Sequence, residues 1–167
     1  MLGRWKQLSR KEISRNNWWG YFFDQVEYSN GKKGEYHVID IKGASVIVPI
    51  LDNGKILCVN TYRYVHDKKF IELPMGGIGD DSYKDAARRE LIEETGFDGD
   101  CEFVGEFYPS NAMMTEKAEA FIARNLVTSN EFSQDDTEEF EYLEYTPQEL
   151  DNLIESGKIT DGFTISA

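Results

Sequence analysis

The run Arg88-Arg89-Glu90-Leu91-Ile92-Glu93-Glu94-Thr95-Gly96-Phe97 constrains this chain more than any other stretch. Wound as an α-helix at about 100° per residue, Glu90, Glu93 and Glu94 stand at about 0°, 300° and 40°, so three carboxylates crowd one face within one turn. Like charges at that spacing repel, and they lie toward the helix C-terminus, where the dipole disfavours anions. The face costs stability unless something positive neutralises it. Mg²⁺ or Mn²⁺, hard cations that prefer carboxylate and phosphate oxygens, would answer that need; a solvated glutamate-rich surface is the alternative. Two neighbours favour the cation site. Arg89 can reach Glu93 at i,i+4, and the turn Pro74-Met75-Gly76-Gly77 leads into the same helix. Gly76 and Gly77 present no side chain, so backbone there can approach a metal or pyrophosphate closely.

The carboxylate helix is expected at about residues 82–95. Ser82 can cap it, Asp85 stands in a weak capping box, Ala86, Ala87 and Leu91 form its apolar stripe, and Gly96 terminates it. Before it, the chain reads as strands at 20–28, 35–42, 44–50 and 55–63, with Asp52-Asn53-Gly54 making a tight hairpin of the last two, and a short strand at 70–73. After it come strands at 101–108, 118–126 and 140–145. A last helix is marked by Thr146 as cap, Pro147 in the first turn, Glu149 completing a capping box, and Leu150, Leu153 and Ile154 as its buried stripe. The pattern is an α/β (α+β) arrangement, a mixed sheet flanked by a few helices, with an N-terminal antiparallel strand region at 1–42 and the main domain at 43–167.

Composition excludes several classes of function. Of the 167 residues, 18 are Lys or Arg and 31 Asp or Glu, a formal charge of −13. Ten acids and no Lys or Arg fall between Asn125 and Gly157, so the rest of the chain carries −3. Such a surface repels a long nucleic acid, whose binding needs many phosphates neutralised, but admits a small anion escorted by a divalent metal. The best apolar run, Ala44 to Ile50, contains Pro49 and is far short of the roughly 20 residues that cross a bilayer. No secretory signal is evident, and Cys58 and Cys101 lack C-x-x-C spacing, so free thiols in a cytoplasmic protein are expected. His37 and His66 are too far apart to suggest a motif.

Arg89-Glu90-Leu91-Ile92-Glu93-Glu94-Thr95-Gly96-Phe97 resembles the second half of the Nudix hydrolase motif. In the first half, Asp81 stands where that pattern has Glu and Met75 where it has Gly; taking Gly76 as the motif glycine leaves the loop one residue short. The similarity extends further. Thr61-Tyr62-Arg63-Tyr64 and Glu72-Leu73-Pro74-Met75-Gly76 resemble the Q-Y-R and E-L-P-A-G signatures of the ADP-ribose pyrophosphatase branch. Tyr108-Pro109-Ser110 is similar to its S-P-G segment without the glycine, and Gly157-Lys158-Ile159-Thr160-Asp161 to its C-terminal ending.

The resemblance implies a Nudix-type mixed sheet sandwiched between helices. It implies Glu90, Glu94 and the Met75 carbonyl as metal ligands, with Glu93 binding a further metal or polarising water and Arg89 orienting it. An acidic loop, Asp135-Asp136-Thr137-Glu138-Glu139, would supply a catalytic carboxylate, Glu138 first and Asp136 next, with Glu116 an outsider. Arg63 would contact substrate phosphates, beside Gly76 and Gly77. The implied reaction is Mg²⁺-dependent (Mn²⁺ possible) hydrolysis of a nucleoside diphosphate sugar, ADP-ribose foremost. Other nucleotide sugars, dinucleoside polyphosphates and a noncatalytic nucleotide-sugar binding module are the alternatives. The cluster Trp18, Trp19, Tyr21, Phe22, Phe23 reads as strand core; the resemblance instead implies a homodimer in which Trp18 or Trp19 stacks on the base.

Overall fold

The structure, a computed structural model, describes residues 3–131 and 139–167. The chain divides into two compact units, Met1–Lys42 with Tyr108–Glu116, and Gly43–Phe107 with Lys117–Ala167.

In the first unit β1 (Lys6–Arg15), β2 (Trp19–Glu27) and β3 (Lys33–Ile41) form an antiparallel sheet in that order. β1 lies outside the strands expected above: every residue in it is exposed, so no alternation of apolar residues marks it. Polar contacts tie it to β2. Arg10 donates from Nε and Nη2 to the two oxygens of buried Asp24 at 2.8 and 2.7 Å, and Gln7 adds a third bond at 3.1 Å. The Arg10 hydrogen bond holds the Asp24 carboxyl below its usual range. The aromatic cluster is not uniform core. Trp18 and Trp19 are exposed at the start of β2, whereas Tyr21, Phe22 and Phe23 are half-buried, with the Arg10 and Arg15 guanidinium groups over the Phe22 ring. Residues 108–116 join β3 through Ile39 N–H to the Met113 carbonyl at 2.9 Å and Thr115 N–H to the Ile39 carbonyl at 3.0 Å.

The second unit contains β4 (Ala44–Pro49), β5 (Ile56–Arg63), a 3-10 turn (Tyr64–His66), β6 (Lys68–Glu72), β7 (Met75–Gly77), α1 (Tyr83–Thr95), β8 (Phe97–Phe107), β9 (Ala118–Thr128), β10 (Phe140–Tyr145), α2 (Pro147–Glu155) and α3 (Gly162–Ser166). A four-stranded sheet runs β7-β4-β9-β8, with β4 and β9 parallel and the other pairs antiparallel; a three-stranded one runs β10-β5-β6. Strand alternation sends Val46 and Ile47 to opposite faces, and both are fully buried. Ile47 packs with Ala87 and Leu91 of α1 and with Phe121; Val46 packs with Ile56, Cys58, Leu73, Leu150 and Ile159. This two-sided burial explains why Ala44 to Ile50 reads as an apolar run broken only by Ser45, whose buried hydroxyl donates to the Tyr83 carbonyl. The mixed sheet and few helices agree with the expected α/β class.

The expected hairpin is corrected. Asn53-Gly54 does make a turn, with Gly54 at φ 77° and the Gly54 N–H bonded to the Leu51 carbonyl, but β4 and β5 diverge into different sheets beyond the single bridge Ile50–Ile56. Their inward residues pack across the core instead of pairing along an edge. The glycine cluster likewise does not simply end a strand: Met75–Gly77 pairs with β4 as Val46–Met75, Ser45–Gly76 and Ala44–Gly77. The short helix α3 also lay outside expectation. Asp161 caps it, accepting the Thr164 N–H at 2.7 Å.

Candidate active site

α1 is built as its sequence suggests. Ser82 Oγ accepts the Asp85 N–H at 3.1 Å and donates to Asp85 Oδ2 at 2.6 Å; Gly96 closes the helix in the left-handed region at φ 75°. Ala86, Ala87, Leu91 and Ile92 are buried, which fixes the rotation of the carboxylate face. The three glutamates then fare differently. Glu94 is 5% exposed and accepts the Met75 N–H at 3.1 Å, so one bond joins helix to glycine turn. Glu90 is half-buried, and Glu93 is exposed.

Arg89 organises this face. Its Nη1 donates to Glu90 Oε1 at 2.7 Å and Glu93 Oε2 at 3.0 Å, its Nη2 to the Gly77 carbonyl at 2.8 Å, and its Nε to Asp81 Oδ2 at 3.2 Å. Asp81, shorter by one methylene than the motif glutamate, thus still reaches the arginine. At Gly76 an added Cβ would collide with the Glu90 carboxyl group, so the carboxylate occupies the space the glycine leaves open.

The donors here suit a hard divalent cation: carboxylate oxygens on one helix turn and the backbone of Met75–Gly77, with no thiol or imidazole among them. Among the described residues no three Asp, Glu, His or Cys side chains converge as a ready ligand set, and Arg89 and the Met75 amide engage the glutamates instead. Glu90, Glu94 and the Met75 carbonyl are the groups that would hold the ion.

Beside this face opens a cavity of about 890 Å³. Arg63, Glu72, Met75, Phe70, Glu139 and Asp161 are among its lining residues. Met75 links this wall to the carboxylate helix through its N–H bond to Glu94. Glu72 is 3% exposed and accepts Arg63 Nε through both oxygens at 3.0 and 3.2 Å, and Arg63 Nη2 as well. The hydrogen bond to Glu72, opposed in part by burial, raises the Arg63 pKa; Glu94 and Asp161 add through-space attraction. Burial, followed by the Glu94 charge, pushes the Tyr142 hydroxyl up. Sequence reasoning missed Glu72, quoted above only within a signature, and α3, which fastens the cavity wall through Thr164 Oγ1 accepting the Leu73 N–H at 3.0 Å. The pairing of a buried acid with an arginine nine residues away, on the neighbouring strand, leaves no local signal to find.

Of the remaining candidates, Glu138 and Asp136 lie outside the described residues. Trp18, Trp19 and Glu116 belong to the first unit. There Asn16 Oδ1 accepts both the Trp18 and Trp19 N–H at 2.8 and 2.9 Å, and burial raises the Glu116 pKa.

The NUDIX domain model matches residues 41–163. The ADP-ribose pyrophosphatase of Bacillus subtilis (strain 168) is 28% identical over 97% of this chain and 89% of its own length. The GDP-mannose pyrophosphatase of Yersinia enterocolitica is 31% identical over 93% and 89%, and a methanol dehydrogenase activator of Bacillus methanolicus 30% over 86% and 80%. A crystal structure of an ADP compounds hydrolase shares the fold, with a TM-score of 0.87 at 23% identity over 100% of this chain and 91% of that one. The chain, with its glycine turn against a carboxylate helix, belongs to the Nudix hydrolase family and is a Nudix pyrophosphohydrolase.

Proposed function

We propose that this protein hydrolyses the pyrophosphate bond of a nucleoside diphosphate sugar, ADP-ribose foremost, to a nucleoside monophosphate and a sugar phosphate. The observation that carries this reading is the cavity whose wall contains both Arg63 and Met75, the latter bonded directly to Glu94. An anion entering there meets a guanidinium beside the carboxylate helix. When bound, Mg²⁺ or Mn²⁺ would neutralise charge on the phosphate oxygens. Glu90, Glu94 and the Met75 carbonyl would hold the ion. Arg63 orients the diphosphate, and Glu93, kept in place by Arg89, orients a water for in-line attack at one phosphorus. Glu138, with Asp136 next, is proposed to supply a further proton-accepting carboxylate.

Hydrolysis of ADP-ribose and competing nucleotide sugars with Mg²⁺ and Mn²⁺, read as phosphate released by an added phosphatase, tests the reading. ADP-ribose should turn over fastest. The GDP-mannose pyrophosphatase among the relatives supports a second reading in which another nucleotide sugar leads. Tight nucleotide-sugar binding without hydrolysis at any metal concentration would instead identify a noncatalytic binding module. We also propose a homodimer in which Trp18 or Trp19 stacks on the base. Trp18, 75% exposed, has an open ring to offer. A solution mass of a single chain would remove that role.

A further inference from the structure

This inference rests on reading the cavity as the diphosphate site and assigns the means by which its arginine is aimed. β5 and β6 pair antiparallel as Arg63–Lys68, Thr61–Phe70 and Val59–Glu72. With side chains alternating along each strand, Arg63, Thr61, Phe70 and Glu72 share the face that lines the cavity. Glu72 is among the most buried acids of the chain, and its two oxygens accept from the Nε and Nη2 edge of Arg63. Nη1 has no hydrogen-bond acceptor among the described residues. Glu94 and Asp161 also attract this guanidinium, so a loose arginine would have two competing destinations.

We propose that Glu72 is a positioning residue. It clamps one edge of the Arg63 guanidinium so that Nη1 is presented to a diphosphate in the cavity, and it keeps the side chain from being drawn to Glu94 or Asp161. A planar fork gripped on one side donates in a fixed direction from the other, which a lysine ammonium cannot reproduce. Because Glu72 already balances much of the Arg63 charge, the arginine contributes direction more than net attraction.

The test is a double-mutant cycle of Glu72→Gln, Arg63→Lys and the pair, reading KM, kcat and the calorimetric Kd for ADP with Mg²⁺. Glu72→Gln leaves a single acceptor oxygen and sets an amide N–H against the guanidinium. It should raise KM and the ADP Kd at least fivefold with kcat changed less than threefold, and the double variant should bind no worse than the weaker single one. A purely structural role would lower the melting temperature without that KM-against-kcat split or that coupling. If Glu72→Gln does not fold, Glu72→Asp, which keeps the charge but falls one methylene short, should show the same rise in KM. A rise below fivefold, or effects that multiply, overturns the proposal. Wild-type protein that binds ADP but hydrolyses no nucleotide sugar overturns only the substrate reading; wild-type protein that binds no ADP overturns both.

Discussion

Arg89 Nη1 donates to Glu90 Oε1 at 2.7 Å, joining two sequence neighbours whose side chains an ideal helix directs about 100° apart. The same nitrogen reaches Glu93, so one guanidinium relieves much of the repulsion that the three glutamates would otherwise generate. A divalent ion would therefore not be the sole counter-charge on this face. Arg89 gathers the Glu90 and Glu93 carboxylates on a single nitrogen.

Arg89→Lys should consequently cost function more than stability. A lysine cannot span Asp81, Gly77, Glu90 and Glu93 together, and partly exposed ion pairs contribute only about 0.2–1 kcal/mol each. Turnover should fall at least tenfold and the Mg²⁺ concentration for half-maximal rate should rise, with a melting temperature within a few degrees of wild type. Metal titrations of the rate and thermal melts on the same preparation check this.

Glu94 separates two roles by the choice of replacement. Glu94→Gln retains an oxygen for the Met75 N–H and should melt near wild type, while losing at least tenfold in metal affinity. Glu94→Ala strands a part-buried amide as well and should cost a further ~1–3 kcal/mol in denaturant unfolding. Equal stability of the two variants would show that the Met75 bond does nothing for the fold.

Gly76→Ala tests the close approach to Glu90. The atom that an added methyl would strike is the end of a flexible side chain, so the fold should yield at little cost in melting temperature. The carboxylate, however, must leave its place, and metal-dependent activity should drop at least tenfold. Near-wild-type activity would mean that Glu90 does not work from this position.

The parts of this architecture that were legible in sequence are those set by local chemistry. Ser82, Gly96, Thr146 and Glu149 mark helix ends through bonds to backbone a few residues away, and Pro147 through its fixed φ in the first turn; the structure repeats them. The reach of Arg89 to Glu93 is likewise a matter of helix spacing. What was not legible depends on distant partners. Asn53-Gly54 encodes a turn but cannot say whether the flanking strands pair or separate around a core, and β1 owes its place to Asp24, which lies outside that strand. Glu72 is one acid among many until β5 and β6 pair and bring it to Arg63.

Burial governs the cysteines. Cys58 is fully buried and its thiol is pushed up to about 12 by desolvation; burial also raises Cys101. Thiolate is the reactive form, so neither should be labelled by an aromatic disulfide reagent at pH 7.5 in the native protein. Both should react promptly in guanidinium chloride. Rapid labelling of one thiol without denaturant would contradict its burial.

Asp24 predicts an acid-sensitive contribution from the first unit. Its carboxyl is paired with Arg10 and Gln7 and titrates below the unfolded value of ~3.9, so between the two values the unfolded chain binds more protons. The stabilisation is thus fully present above the unfolded value and is lost as pH falls through the folded one. Asp24→Asn removes the charge and leaves half-exposed Arg10 without its buried partner. At pH 7 it should destabilise by about 1–3 kcal/mol, with solvent screening of Arg10 favouring the lower end. Melts at pH 7, 5 and 3 should show the gap from wild type narrowing only at pH 3. A gap that stays constant there would mean that shape, not charge, is what Asp24 supplies.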